Sequence, residues 1–151
     1  VTPGYEAPAS HSFIRGPRKS DQSFVAATWC KQMGAADKAN AKGPKYGLIG
    51  TQIDRVLERD DTRALIRHAP GDRDAIYGFV VFAEGVGVPL LHFVYVRKDH
   101  RGKGYGADLL RSVGVDTPLT AFVWTCRGPS APWMVGKYKA ASNLPLAEFL
   151  A

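Results

Sequence analysis

The chain has 151 residues, 45% hydrophobic and 23% charged, a composition that excludes a disordered chain and suits one domain with a sizeable core. No apolar run approaches the ~18 residues of a membrane span and the opening does not read as a signal peptide, so the expectation is a cytoplasmic protein with no membrane partner. A formal net charge of +6 favours anionic partners, nucleic acid or a polyphosphate cofactor among them, although Lys and Arg are scattered along the chain and suit a basic soluble surface as well.

Residues 1–11, rich in Pro, Gly and Ala, read as a flexible lead-in, which leaves 12–151 as the single domain. Ser12–Arg15 is an extended segment ended by Gly16-Pro17. Ser20 and Asp21 offer N-cap oxygens to a helix whose apolar stripe is Val25, Trp29 and Met33 and which Gly34 ends. A loop over Ala35–Pro44 precedes a second helix carrying Leu48, Ile49, Ile53, Val56 and Leu57. The middle of the chain reads as β-structure: Ala64–His68, a turn at Pro70-Gly71-Asp72, Ile76–Ala83, a turn over Glu84–Gly87, and Val88–Val96. A short helix over Ala107–Val113, a strand over Leu119–Cys126, a helix from Pro132 to about Ala141, and an edge strand over Leu146–Leu150 complete the chain. The order β-α-α-β-β-β-α-β-α-(β) predicts an α/β layered domain with a mixed sheet. Cys30 and Cys126 lie far apart without metal-ligand spacing and read as reduced thiols, so no metal is expected.

The informative stretch is His92-Phe93-Val94-Tyr95-Val96-Arg97-Lys98-Asp99-His100-Arg101-Gly102-Lys103-Gly104-Tyr105-Gly106-Ala107. It reads as a strand, a basic glycine-rich loop and a helix start. Glycines let successive N–H groups turn inward, and the helix N-terminus adds unpaired donors and positive dipole, so the segment is an anion cradle. It is not a phosphate loop of the Gly-Lys-Ser/Thr kind, and the spacing Gly102-x-Gly104-x-Gly106 does not fit a dinucleotide fingerprint.

Arg101-x-x-Gly104-x-Gly106 matches the Arg/Gln-x-x-Gly-x-Gly/Ala signature of the GNAT N-acetyltransferases, and the hairpin before it resembles that family's central antiparallel strands. The resemblance covers the chain from about Phe13 to its C-terminus and is motif-specific over Val96–Leu110. It implies a mostly antiparallel mixed sheet flanked by about four helices, and acetyl-CoA or another acyl-CoA as cofactor. It also implies pyrophosphate binding by the backbone of Arg101, Gly102, Lys103, Gly104, Tyr105 and Gly106 at the start of the Ala107 helix. Val94, Tyr95 and Val96 would lie along the pantetheine arm, with Val94 and Val96 pairing with it like an added strand.

Acyl transfer to an amine needs a neutral nucleophile, an oxyanion donor and a proton for the departing thiolate. His92 is the first base candidate, at a spacing that some family members share. Strand alternation groups it with Val94 and Val96, and its other reading is a satisfied histidine in a packed strand. Glu84 is the second candidate, or an ordinary turn carboxylate. The resemblance places the thiolate's acid near Tyr138, although the family's Asn before this helix is absent. Trp29 and Tyr46 would line the mouth through which an amine acceptor, small molecule or protein, enters, and Trp29 also fits the core stripe.

The segments Phe13-Ile14-Arg15 and Asp21-x-x-Phe24-Val25-x-x-Thr28-Trp29 resemble phage-encoded GNAT-like proteins related to the Mom DNA-modification protein. That resemblance, with the basic charge, adds nucleic acid as an acceptor. A GNAT-fold module that binds CoA or a partner without turnover is the third reading, as a monomer or homodimer.

Overall fold

The computed structural model describes residues 13–36, 44–84, 87–126 and 131–151, with the side chains of 35–36, 44–48 and 131–132 outside the description. The elements are β1 (Ile14–Arg15), α1 (Asp21–Ala36), α2 (Pro44–Leu57), β2 (Thr62–Ala69), β3 (Asp72–Ala83), β4 (Leu90–Val96), a 3-10 turn (Lys98–His100), α3 (Tyr105–Ser112), β5 (Phe122–Trp124), α4 (Ala131–Lys137), β6 (Ala141–Asn143) and α5 (Leu146–Leu150). The six strands form one sheet in sequential order from β1 to β6. Neighbours among the first four are antiparallel, whereas β5 runs parallel to both β4 and β6. The expected mixed, mostly antiparallel α/β architecture is the one found, with five α-helices among the described residues rather than four.

Alternation along the strands sends side chains to two apolar layers. On one face Leu65, Val80, Leu91 and Val94 pack with Leu109 and Leu110 of α3 and Met134 of α4. On the other, Ile66, Phe79, Val81 and Phe93 pack with Val25 and Trp29 of α1, Ile53 and Val56 of α2, and Leu146 of α5. Trp29 is fully buried and lies flat on Phe93, with ring centroids 5.6 Å apart and planes 12° apart. The core member of its two sequence readings is the one its burial supports.

Asp21 is the first residue of α1, and its carboxylate reaches back rather than capping the helix. It accepts from the Arg18 amide at 2.7 Å and pairs with the buried Arg15 guanidinium at 2.6 and 3.1 Å. Burial pushes its carboxyl up, but the hydrogen bonds and charge of Arg15 and Arg18 bring it down overall. Helix α1 runs two residues past Gly34, and Cys30 and Cys126 are free thiols, with burial pushing Cys126 up to about 11.

Leu146–Leu150 is a helix, not the expected edge strand. Pro145 sits at its N-cap with φ −53°, and its carbonyl accepts from the amides of Glu148 and Phe149 at 2.9 and 3.0 Å. Leu146, Phe149 and Leu150, at i, i+3 and i+4, turn one apolar face onto the α1–α2 layer. The edge of the sheet is instead β6, and α4 ends at Lys137 rather than near Ala141.

Candidate active site

Two irregularities in β4 create the site. The first is a bulge. Phe82 pairs with Leu91 and Val81 with Phe93, so His92 is the extra residue on β4. The bulge reverses the expected alternation: His92 sits on the Trp29 side with Phe93, not with Val94 and Val96. Its imidazole lies 6.3 Å from the Trp29 ring and 4.7 Å, edge-on, from Phe149 of α5.

The second irregularity is a fork. Strands β4 and β5 pair only at Leu90–Val123 and Leu91–Trp124, with the Thr125 amide donating to the Leu91 carbonyl at 2.9 Å. Beyond Leu91 no register pair joins them. The Arg97 amide donates to the Tyr77 carbonyl at 2.8 Å, which sets the phase of the β3–β4 ladder. In that phase the peptide groups of Phe93 and Tyr95 face β3, and those of Val94 and Val96 face the open side of the fork.

A groove of about 390 Å³ fills the fork. Val94, Val96, Ala107, Trp133 and Lys137 line it from the α3–α4 side, and Phe93, Tyr95 and Gln32 from the α1 side. His100, Arg101, Gly102, Gly104, Tyr105 and Gly106 form its end wall. There the chain leaves β4 through the 3-10 turn and re-enters a helix at Tyr105. Gly102 and Gly104 take φ of 78° and 84°, the left-handed region in which glycine is unstrained. The first helical bond of α3 runs from the Asp108 amide to the Gly104 carbonyl at 3.0 Å, so the amides of Tyr105, Gly106 and Ala107 precede the helical ladder. Those amides, the helix dipole, Arg101 and Lys137 make this end of the groove a place for an anion. The Arg101 side chain is anchored, its Nε donating to the Val96 carbonyl at 2.9 Å. A Cβ on Gly106 would stand 3.2 Å from Trp133 Cη2, so glycine sets how closely α3 and α4 approach.

Of the residues singled out from sequence, Val94, Tyr95, Val96, Arg101, Gly102, Gly104, Tyr105, Gly106 and Ala107 all border this groove, and Lys103 is exposed beside it. The acid and base candidates do not border it. His92 is 1% exposed, its Nδ1 shares a 2.9 Å hydrogen bond with Thr125 Oγ1, and burial pushes it down to about 4. Tyr138 is buried against Phe122 and Trp133, with burial raising its hydroxyl. Glu84 is half exposed and ion-paired with Arg63 at 2.7 Å. Trp29 lies beneath Phe93, away from the groove, and Tyr46 falls on α2 with its side chain outside the described residues.

Gln32, Phe93, His100, Trp133 and Lys137 line the groove without having been assigned to the site from sequence. Gln32 stands one turn beyond Trp29 with no local signal. Trp133 and Lys137, an aromatic and a cation at i and i+4 on an exposed helix face, carried only a weak one. Among the described residues there is no cluster of three or more metal-ligating side chains, and no helix is long and apolar enough to cross a membrane.

No family model and no curated protein matches the sequence. Solved structures do match the fold. A mutant of the BH1408 protein from Bacillus halodurans aligns at TM-score 0.53 and 12% identity, over 83% of this chain and 89% of its own. A Pyrococcus furiosus protein described as an acetyl transferase aligns at TM-score 0.50 and 15% identity, over 82% of this chain and 89% of its own. A ribosomal-protein-alanine N-acetyltransferase from Brucella melitensis matches at TM-score 0.42 and 20% identity over 65% of this chain, which spans only 64% of that protein's length. At such identities the likeness of the first two is a likeness of fold alone. The chain has the GNAT fold.

Proposed function

We propose that the protein is an acyl-CoA-dependent acyltransferase that moves an acetyl group from acetyl-CoA, or another acyl group from its acyl-CoA, to a primary amine. The observation that carries this reading is the groove in the β4–β5 fork, with its anion-binding end at Gly102–Gly106 and its walls on both faces of the sheet. In this reading the cofactor's pyrophosphate meets the first amides of α3, and the acyl-pantetheine arm runs beside Val94 and Val96 toward the fork. The amine of a small molecule or protein comes from the α1 side, past Gln32, Phe93 and Tyr95. Its nitrogen attacks the thioester carbonyl directly, the C–S bond breaks, the thiolate takes up a proton and the new amide gives one up.

His92 stays neutral near pH 7 because burial holds it near 4, so it serves the fork as a neutral hydrogen-bonding ring in this reading. The amine then reacts in its already neutral form, and turnover rises with pH through the acceptor's own ionisation.

The test is CoA thiol release from acetyl-CoA against a panel of small primary amines, a lysine-containing peptide and a DNA oligonucleotide, with product masses recorded. Amine-dependent release with an acyl mass added to the acceptor is the expected result. Release only with the oligonucleotide would move the reading to nucleic-acid modification, for which the net charge of +6 is a reason to include that arm. Cofactor binding without release from any acceptor would reduce the protein to a non-catalytic binding module.

A further inference from the structure

Five planar side chains stand in series beside the glycine-rich loop, and only those of His100 and Tyr105 border the groove. The His100 ring stacks on Tyr77 with centroids 3.7 Å apart. Tyr77 stacks in turn on Tyr105 at 5.5 Å. The Arg67 guanidinium lies over the Tyr105 ring at 4.4 Å and over the Phe13 ring at 4.9 Å. His100 and Tyr105 are the residues that bracket the Arg101–Gly104 loop, one ending the 3-10 turn and the other starting α3.

Arg67 is the unusual member. It is 5% exposed, on a central strand, in one row of the sheet with Ile14, Gly78 and Val96. That row faces α3. Nη1 donates to the His68 carbonyl at 2.7 Å, while Nε has no hydrogen-bond partner, and burial lowers its pKa. The ion pairs among the described residues do not include it. A buried charge without a carboxylate is expensive unless something else stabilises it, and the faces of Phe13 and Tyr105 are what surround this one. Placing a cation there makes sense if its contact with Tyr105 holds something in place.

We propose that Arg67 is a positioning residue for the anion-binding loop. It holds Tyr105, and through Tyr105 and Tyr77 both ends of the loop, so that the first amides of α3 are already aimed into the groove before the cofactor arrives. The proposal rests on the acyl-CoA reading for what the loop binds, but not for the ordering of the loop itself. It assigns a device on β2, some 34 residues upstream of Arg101, that the loop motif does not contain.

Two measurements test it on the same variants: amide hydrogen exchange of the free protein over residues 108–110, whose amides close the first turn of α3 onto the end of the loop, and the acetyl-CoA dissociation constant by calorimetry. Arg67→Met keeps the side-chain stem and removes the planar cation. It is expected to speed exchange over 108–110 by roughly tenfold, with β2–β3 exchange unchanged, and to weaken acetyl-CoA by a similar factor, the scale of one desolvated cation–π contact. Tyr105→Leu is expected to reproduce both effects, Tyr105→Phe to retain wild-type values, and the double variant Arg67→Met/Tyr105→Leu to be no worse than either single. Should Arg67→Met not fold, Tyr105→Leu against Tyr105→Phe decides alone, since Tyr105 is only partly buried. Unchanged exchange over 108–110, or exchange that speeds equally across the whole sheet, overturns the proposal. A wild-type protein that does not bind acetyl-CoA overturns the acyl-CoA reading instead, and the exchange arm still decides the role of Arg67.

Discussion

His92 Nδ1 and Thr125 Oγ1 are 2.9 Å apart, and this hydrogen bond ties the bulged residue of β4 to the first residue past β5 at the point where the two strands part. Both groups are buried, so neither has water as an alternative partner. Thr125→Val keeps the shape and removes the hydroxyl, leaving the ring nitrogen unpaired. The expected loss is about 1–3 kcal/mol of folding stability in urea titration, with Thr125→Ser recovering most of it.

The same histidine gives the protein an acid-side stability loss. Its ordinary value is 6.5 and burial lowers it to about 4 in the folded chain. As pH falls through 6.5 the unfolded chain takes up a proton at His92 that the folded chain refuses until about 4, so stability drops across that window and the effect levels off below it. The full drop is roughly 3 kcal/mol at 1.36 kcal/mol per unit. Denaturant midpoints measured every half unit from pH 7.5 to 4 check this, and His92→Gln is expected to flatten the slope.

Gly104 and Gly106 are two residues apart and have opposite reasons for being glycine. At Gly104 there is room for a side chain, but φ is 84°. At Gly106 the backbone is helical and the room is taken by Trp133 at 3.2 Å. Gly104→Ala is therefore expected to lose about 1–2 kcal/mol from left-handed strain. Gly106→Ala gains about 1 kcal/mol of helix propensity against a small shift of the Trp133 ring, which is partly exposed and free to give. Its expected signature is near-neutral stability with weakened cofactor binding, because Trp133 borders the groove.

The Arg15–Asp21 pair is nearly closed to solvent, with side chains 3% and 8% exposed. Asp21→Asn keeps the shape and leaves the Arg15 charge buried without its carboxylate. About 3–5 kcal/mol of destabilisation is expected. The folded carboxyl lies below its ordinary 3.8, so the pair's contribution is present above that value and disappears as pH falls below it.

The parts of this site that could be read from sequence are those built by neighbours in the chain. Arg101, Gly102, Gly104 and Gly106 announce an anion cradle because positive φ, helix start and charge are all local properties. The stripe of Val25, Trp29 and Met33 and the β3–β4 hairpin were legible for the same reason, as simple periods in residue type. The bulge at His92 was not, because it exists only in the register between β4 and β3, where Phe82 faces Leu91 and Val81 faces Phe93. A one-residue shift there moved His92 to the opposite face. Leu146–Leu150 is short enough to read as an edge strand, whereas Leu146, Phe149 and Leu150 fall on one face of a helix. Pro145 and the α1–α2 layer decide in favour of the helix. Gln32, Trp133 and Lys137 reach the groove from elements distant in the chain, which no local pattern encodes.

The central claim, that the β4–β5 fork is an acyl-CoA groove closed by the Gly102–Gly106 loop, is tested most directly by calorimetric titration of acetyl-CoA into the wild-type protein and into Gly104→Glu. The wild type is expected to bind one-to-one and the variant, where a carboxylate meets the pyrophosphate, to bind at least a hundredfold more weakly, roughly 3 kcal/mol at 1.4 kcal/mol per tenfold. Equal affinity in a folded Gly104→Glu variant, or no binding to the wild type, would contradict it.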